Sequence, residues 1–113
     1  MSFGMSKDGA GGYHQPIHAL DFATGAELFG VSTEIAASYP GGGAGSQNGR
    51  VVFDPAQYAE RASLLLLNDV VYTAWTSHCD IMPYTGWVIG YSADTLQQAN
   101  VLNVTPNAQM GAI

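Results

Sequence analysis

Short apolar runs separated by turn residues dominate this chain, and they restrict the folds open to it. Seven runs are predicted as β-strands: residues 1–6, 16–21, 27–31, 64–67, 70–77, 86–91 and 99–104. Their length and their boundaries at glycine, asparagine and aspartate are typical of strands. One segment predicts a helix, because Asp54 suits an N-cap, Pro55 suits the first helical position, and residues 56–62 would make about two turns. The sequence therefore predicts an all-β fold with one short helix.

The strand pattern is repeated once along the chain. The segment ALDFATGAE at 19–27 aligns with GYSADTLQQ at 90–98, and the same spacing lays MSKD at 5–8 over TSHC at 76–79. Four predicted strands follow one another in the second copy, whereas three precede the long connection of the first. The sequence thus predicts two copies of a four-stranded unit, and the first copy lacks its opening strand.

The repeated segment resembles the blade signature of a known family. The motif A-x-D-x-x-T-G-x-E at 19–27, with NGRVVFDPAQYAERASLLLLNDVVYTAWTSHCD at 48–80 and GWVIGYSADTLQQ at 86–98, is similar to uncharacterised bacterial members of the pyrroloquinoline-quinone-like, quinoprotein-type repeat β-propellers. In such a turn the aspartate accepts backbone N–H bonds and the glycine takes a positive φ. Phe29 stands where the family has tryptophan, Ala26 where it has lysine, and Ser92 where it has aspartate. The resemblance implies a propeller, whose blades are four-stranded sheets.

This resemblance divides the single unit 1–113 into four parts. Residues 1–31 form an incomplete blade of three strands, residues 32–63 a long loop with the short helix, residues 64–104 a complete blade, and residues 105–113 a spare strand that completes the blade of a neighbouring chain. Exchange of that strand would give about two blades per chain, and a ring of about four to eight blades then needs two, three or four chains. A homo-trimer is favoured, because two chains force a tight ring and four leave a wide channel.

Charge is scarce in this chain and mostly negative. Three Lys and Arg residues against nine Asp and Glu residues give a net charge of −6, and charged residues make up 11% of the chain, against about 25% in typical soluble domains. Burial against other copies would explain so little charge, and so would a secreted or low-charge environmental protein, but burial against other copies is favoured. Nucleic acids and anionic membranes require a basic face, so neither is expected as a partner, and no apolar run approaches the ~20 residues of a membrane-spanning helix.

The cellular compartment is left open by the sequence. The opening residues MSFGMSKDG lack the charged-then-apolar organisation of a signal peptide, whereas the resemblance implies an exported parent protein. The glycine-rich stretch GGGAGSQNG at 41–49 lacks the G-K-[ST] of a phosphate loop, so we expect it to be a flexible insertion.

The short connections 23–25, 68–69 and 92–95 are predicted as tight turns on one side of the sheets, and the long connections 7–15, 30–63 and 78–85 lie on the other side, the long-loop face. The segment SHCD at 77–80 is the richest chemical cluster on that face. Neighbouring residues of an extended chain point to opposite sides, so His78 and Asp80 could share a side, whereas His78 and Cys79 would not contact each other. A nucleophilic Cys79 would then need a base from elsewhere, for example His14 or a histidine of another chain. The favoured interpretation is structural, with Cys79 as a small buried residue and with His78 and Asp80 bonding loop backbone.

Two functions follow from these patterns. The first is a self-assembling propeller fragment that acts as a binding or scaffold module, with a small molecule or a protein at its long-loop face. The second is a hydrolase of small esters or phosphoesters that uses His78, Cys79 and Asp80 as catalytic residues. One chain lacks a spacing for three metal ligands, so a divalent metal would be shared between chains by His78 and Asp80. No quinone cofactor is predicted, because the calcium carboxylates, acid–base aspartate and paired cysteines of quinone dehydrogenases have no counterpart here.

Overall fold

The computed structural model describes residues 2–111, and within them the predicted all-β class is confirmed. These residues contain no α-helix, and His78–Asp80 form a single turn of 3-10 helix. None of them builds a helix with the length and apolarity needed to cross a membrane. The strands are β1 (Ser2–Phe3), β2 (Ser6–Lys7), β3 (Tyr13–His14), β4 (Pro16–His18), β5 (Thr33–Glu34), β6 (Ser38–Pro40), β7 (Ser46–Gln47), β8 (Arg50–Val52), β9 (Tyr58–Glu60), β10 (Leu65–Leu67), β11 (Val70–Ser77), β12 (Trp87–Ser92) and β13 (Gln98–Asn103).

The largest sheet is an antiparallel meander of consecutive strands in the order β10-β11-β12-β13. Its longest pairing joins β11 to β12, with Trp75 opposite Trp87 at one end of the register. β9 pairs with the last three residues of β11, on the side where β10 pairs with the first three. Asn68 and Asp69 connect β10 to β11 with φ of 50° and 60°, which is the backbone of a tight type I′ hairpin turn. The four strands predicted between residues 64 and 104 are thus all present.

The amino-terminal sheet has three antiparallel strands in the order β1-β4-β5. The turn after β4 has the predicted chemistry, because Asp21 Oδ1 accepts the N–H groups of Ala23 and Thr24 at 2.9 Å and Gly25 has φ of 73°. The strand predicted at 27–31 is wrong beyond its first residue, since Glu27 makes an isolated bridge to Leu20. The chain leaves the sheet after that bridge and returns to pair with β4 at residues 33–34.

The helix predicted over residues 56–62 is absent, and β9 occupies its place. Asp54 does begin a turn, as its N-cap pattern predicted. Its Oδ1 accepts the Ala56 N–H at 2.9 Å and its carbonyl accepts the N–H of Gln57 at 3.0 Å. These bonds close a single turn. Residues 58–60 then pair with the end of β11, and Tyr58 is buried. These tertiary contacts override the local helix propensity.

The glycine-rich stretch 41–49 is an ordered part of the fold, so its assignment as a flexible insertion was wrong. Its end forms a hairpin in the sheet β6-β8-β7. Its beginning packs on the tail, because the Gly43 N–H donates to the Pro106 carbonyl and the Ala44 N–H to the Ala108 carbonyl, both at 2.8 Å. A Cβ at Gly43 would collide with the Ala108 carbonyl oxygen, so close backbone approach explains the glycine.

The tail after β13 lies against its own chain. Besides the two bonds to the glycine-rich stretch, the Gln109 carbonyl accepts the Tyr84 N–H at 3.0 Å and Asn107 Oδ1 accepts the Gly42 N–H at 3.0 Å. The predicted exchange of residues 105–113 with a neighbouring chain remains a prediction, and residues 112–113 lie outside the described part. Exchange would require these bonds within one chain to break.

One aromatic cluster forms the centre of the core and joins the small sheets. Phe53, which follows β8, lies edge-on to Trp75 at 5.2 Å and to Trp87 at 5.9 Å between ring centroids, and it stacks on Tyr58 at 5.2 Å. Phe3 of β1 meets Trp75 edge-on at 5.4 Å. Edge-to-face and offset aromatic pairs add to the free energy of area burial, so this cluster holds the amino-terminal sheet, the middle segment and the meander together.

We expect Phe53→Ala to lower the free energy of unfolding by about 3–5 kcal/mol, because it removes the ring shared by both buried tryptophans. Phe22→Ala is the matched control, since the Phe22 ring is fully exposed and its loss should change the free energy by no more than about 0.5 kcal/mol. Urea unfolding followed by tryptophan fluorescence measures both. Equal effects of the two substitutions would contradict this description of the core.

Candidate functional site

The cluster predicted from SHCD lies where the chain leaves the end of β11. His78, Cys79 and Asp80 form the 3-10 turn, and all three are exposed. Cys79 and Asp80 have φ of 58° and 55°, a left-handed conformation that is uncommon for residues other than glycine. The turn therefore reverses the chain direction at the rim of the sheet and presents a thiol and an imidazole to solvent.

The thiol and the imidazole of this turn are in contact. Cys79 Sγ lies 3.2 Å from His78 Nδ1, so the expectation that they would point apart was wrong. It assumed an extended chain, whereas the left-handed backbone at Cys79 folds the two side chains together. The interpretation of Cys79 as a buried packing residue was also wrong, because Cys79 is an exposed free thiol.

Asp80 is engaged by a different partner. Its Oδ1 accepts the Tyr84 hydroxyl hydrogen bond, and no hydrogen bond or ion pair among residues 2–111 joins Asp80 to His78. The hydrogen bond to the Asp80 carboxylate raises the pKa of the Tyr84 hydroxyl. The interpretation that Asp80 bonds loop backbone was therefore wrong for this side chain, and the structure brings together two of the three predicted residues.

Gln57, which the sequence did not single out, and Ser77, the first residue of the SHCD segment, hold the rim in place. Gln57 Nε2 donates to Ser77 Oγ at 3.0 Å and to the Ile81 carbonyl at 2.7 Å, and the Gln57 carbonyl accepts the His78 N–H at 2.7 Å. Ser77 Oγ donates to the Ile81 carbonyl at 2.8 Å. Because the segment around Gln57 was predicted as helix, no sequence signal linked it to this turn.

Two surface clefts meet at His78. A cleft of about 350 Å³ contains the thiol–imidazole pair, with the Arg61 side chain on its wall. A second cleft of about 520 Å³ has His78 and Glu60 in its lining. Glu60 and Arg61 are adjacent, and they line different clefts. Burial raises the pKa of the Glu60 carboxyl, and a hydrogen bond with the Ala74 backbone partly offsets that effect.

A second polar cluster on the predicted long-loop face is centred on His14, which sequence reasoning offered as a base for Cys79. Instead its Nδ1 lies 2.6 Å from Glu34 Oε1 and its Nε2 lies 2.9 Å from Asp8 Oδ2. The hydrogen bond to Asp8, followed by that to Glu34, raises the pKa of His14 above 6.5, and the same contact lowers the pKa of Asp8. Both nitrogens of His14 are thus engaged, and the cluster ties β3 to β5.

No three His, Cys, Asp or Glu side chains of residues 2–111 are placed to hold one metal ion together. A metal at His78 and Asp80 would therefore draw ligands from further chains, as the sequence predicted for such a site. Comparison of the chain with protein-family models, with curated proteins and with solved structures finds no match.

We expect the stability that His14 contributes to be present in full below pH 6.5 and to be lost as the pH rises through its folded pKa, because that pKa is raised in the folded state. Urea unfolding midpoints of wild type and His14→Gln, measured from about pH 5.5 to about pH 9, should therefore converge toward high pH. His78→Gln is the matched control and should leave this pH dependence in place. A difference between wild type and His14→Gln that does not vary with pH would contradict the assignment.

Proposed function

We propose that this chain is a self-assembling β-propeller fragment that acts as a binding or scaffold module. The observation that carries the proposal is the four-stranded meander β10-β11-β12-β13, with an apolar strand at its edge. An up-and-down sheet of four strands is the arrangement of a propeller blade. The sequence repeat and the family resemblance of residues 19–27 support the same interpretation.

The edge of the meander is suited to contact another copy of the chain. The side chains of Leu65, Leu66 and Leu67 in β10 are 56%, 64% and 52% exposed, and within residues 2–111 β10 pairs on one side, with β11. Natural proteins usually protect an edge strand with charge, proline or a covering segment. An apolar, uncharged edge of this kind favours association between chains.

The scarcity of charge supports the same proposal. Further large apolar side chains are exposed away from this edge, including Ile81, Met82 and Leu102. A chain with 11% charged residues gains solubility when an assembly covers such surface. Contact through β10 leaves residues 105–111 on their own chain, and exchange of the 105–113 strand is a second route to the same ring.

We expect sedimentation of the wild type to give a particle of three chains of 11.9 kDa each. Leu66→Lys should shift the particle to single folded chains, because a lysine in an edge strand opposes pairing between sheets. Val31→Lys is the matched control, since Val31 is exposed but lies outside the strands, and it should leave the particle mass unchanged. A wild type that stays monomeric at all concentrations would contradict the proposal, and a Leu66→Lys variant that still assembles would contradict contact through β10.

The contact between Cys79 and His78 favours a second candidate function, the hydrolysis of small esters. His78 Nδ1 takes the proton of the Cys79 thiol, and the thiolate attacks the ester carbonyl carbon. The alcohol leaves with the proton that His78 held, and water then hydrolyses the acyl–cysteine bond. Arg61 on the wall of the same cleft supplies N–H donors for the negative charge that develops on the carbonyl oxygen.

For this second function we expect 4-nitrophenyl acetate to be turned over by the wild type, and Cys79→Ala to abolish turnover. His78→Ala should lower the rate by about 100-fold or more, because it removes the base. His18→Ala is the matched control, since His18 pairs with Glu27 away from the rim, and it should retain the rate. A chelator tests the shared metal. Activity unaffected by Cys79→Ala, His78→Ala and the chelator would remove the rim from any mechanism.

A further inference from the structure

The larger of the two clefts that meet at His78 contains a carboxylate that belongs to no ion pair among residues 2–111. Glu60 lines this cleft of about 520 Å³ together with the apolar side chains of Phe3, Met5 and Leu64. Its volume falls within the range of about 300–1,000 Å³ that is typical of small-molecule sites. The cleft lies within one chain, between β9 and the segment that contains β1, so it does not depend on assembly.

The Glu60 side chain is partly buried, and its carboxyl has the Ala74 backbone as a partner. Its Oε1 is buried and accepts no hydrogen bond from any of residues 2–111. None of the ion pairs in this part of the chain includes Glu60. The neighbouring cation Arg61 lines the other cleft. A buried acceptor without a donor costs free energy, and such a group in a folded protein calls for an explanation.

The rest of the cleft is built to keep its shape. Gln15 is buried, and its side-chain amide donates to the Pro55 carbonyl at 2.8 Å and to the Tyr58 carbonyl. These bonds fasten the segment before β4 to the turn before β9. Phe3 is fixed by its edge-on contact with Trp75. Glu60 therefore lines a cleft with one anchored polar wall and one apolar wall, and its side chain must turn for a ligand to reach the buried Oε1.

We propose that this cleft binds a small organic cation, a primary ammonium group with a short apolar body. The ammonium would donate to the Glu60 carboxylate, and the apolar body would lie against Phe3, Met5 and Leu64. A charge-assisted hydrogen bond is stronger than a neutral one, and the net charge of −6 draws cations toward the protein. The ligand class goes beyond the proposed assembly and does not rest on it.

The test is titration of the full-length chain with butylammonium chloride, followed by amide chemical shifts at constant ionic strength. We expect saturable shifts that concentrate on Met5, Ala59, Glu60 and Leu64. Butanol and sodium pentanoate, which carry the same butyl chain without the positive charge, should bind about tenfold more weakly or not at all. This comparison uses the wild type alone, so it decides the proposal even if a variant fails to fold.

Glu60→Gln should weaken butylammonium binding about tenfold. Glu27→Gln is the matched control, because Glu27 also has a buried oxygen without a partner but lies outside the cleft, and it should bind butylammonium as the wild type does. Equal binding of butylammonium and butanol, unchanged binding by Glu60→Gln, or shifts spread over the whole surface would overturn the proposal. Because Leu66→Lys leaves the cleft intact, butylammonium binding by that variant separates failure of the site from failure of assembly.

Discussion

The cross-strand pair of Trp75 and Trp87 is the contact on which the rest of the structure depends. The two residues lie opposite each other in adjacent central strands of the meander, and both side chains are fully buried. Phe53 and Phe3 bring the middle segment and the amino-terminal sheet onto this pair. Sheets whose strands have two or three residues are only marginally stable by themselves. Packing on the two indole rings therefore stabilises them.

The same cluster explains what the molecule leaves exposed. The large aromatic side chains of the cluster pack against the inner faces of the small sheets. The leucines of β10 do not pack there and are exposed to solvent. With little charge to keep that edge in water, the proposed association with further copies would stabilise the chain by covering these leucines. The long strand β11 also positions both clefts, because it pairs with β9 along the stretch that leads into His78.

Sequence reasoning predicted the part of the fold in which strand pattern and turn chemistry agree. The Asn68–Asp69 turn and the flanking apolar runs predicted the β10–β11 hairpin, and the aspartate and glycine of the 19–27 motif predicted its turn. The predicted secondary structure is wrong where contacts between residues far apart in sequence override local signals. Asp54 gave a correct start for one turn, but pairing with β11 then drew Tyr58 into a strand. A single sequence carries no sign of that pairing.

The candidate site shows the same division. The segment 77–80 identified the thiol and the imidazole of the candidate site, but the contact between Cys79 and His78 depends on a left-handed backbone at Cys79 that alternation along a strand cannot predict. Glu60 was missed because it is a candidate through its buried Oε1, which has no hydrogen-bond partner among residues 2–111. That is a property of the folded chain. A glycine can mark close backbone approach as readily as flexibility, and Gly43 is an example of close approach. For this reason the ordered stretch 41–49 was predicted to be flexible.

The proposed assembly depends on contact between chains at the β10 edge. Hydrogen exchange at that edge tests this contact most directly. The amides of Leu65, Leu66 and Leu67 are followed by NMR in dilute and in concentrated solution, with the amides of Thr73 and Ile89 in the centre of the meander as an internal reference. Pairing with another copy predicts protection at β10 that rises with protein concentration while the central amides stay equally slow. Exchange at β10 that is the same at every concentration would contradict the account.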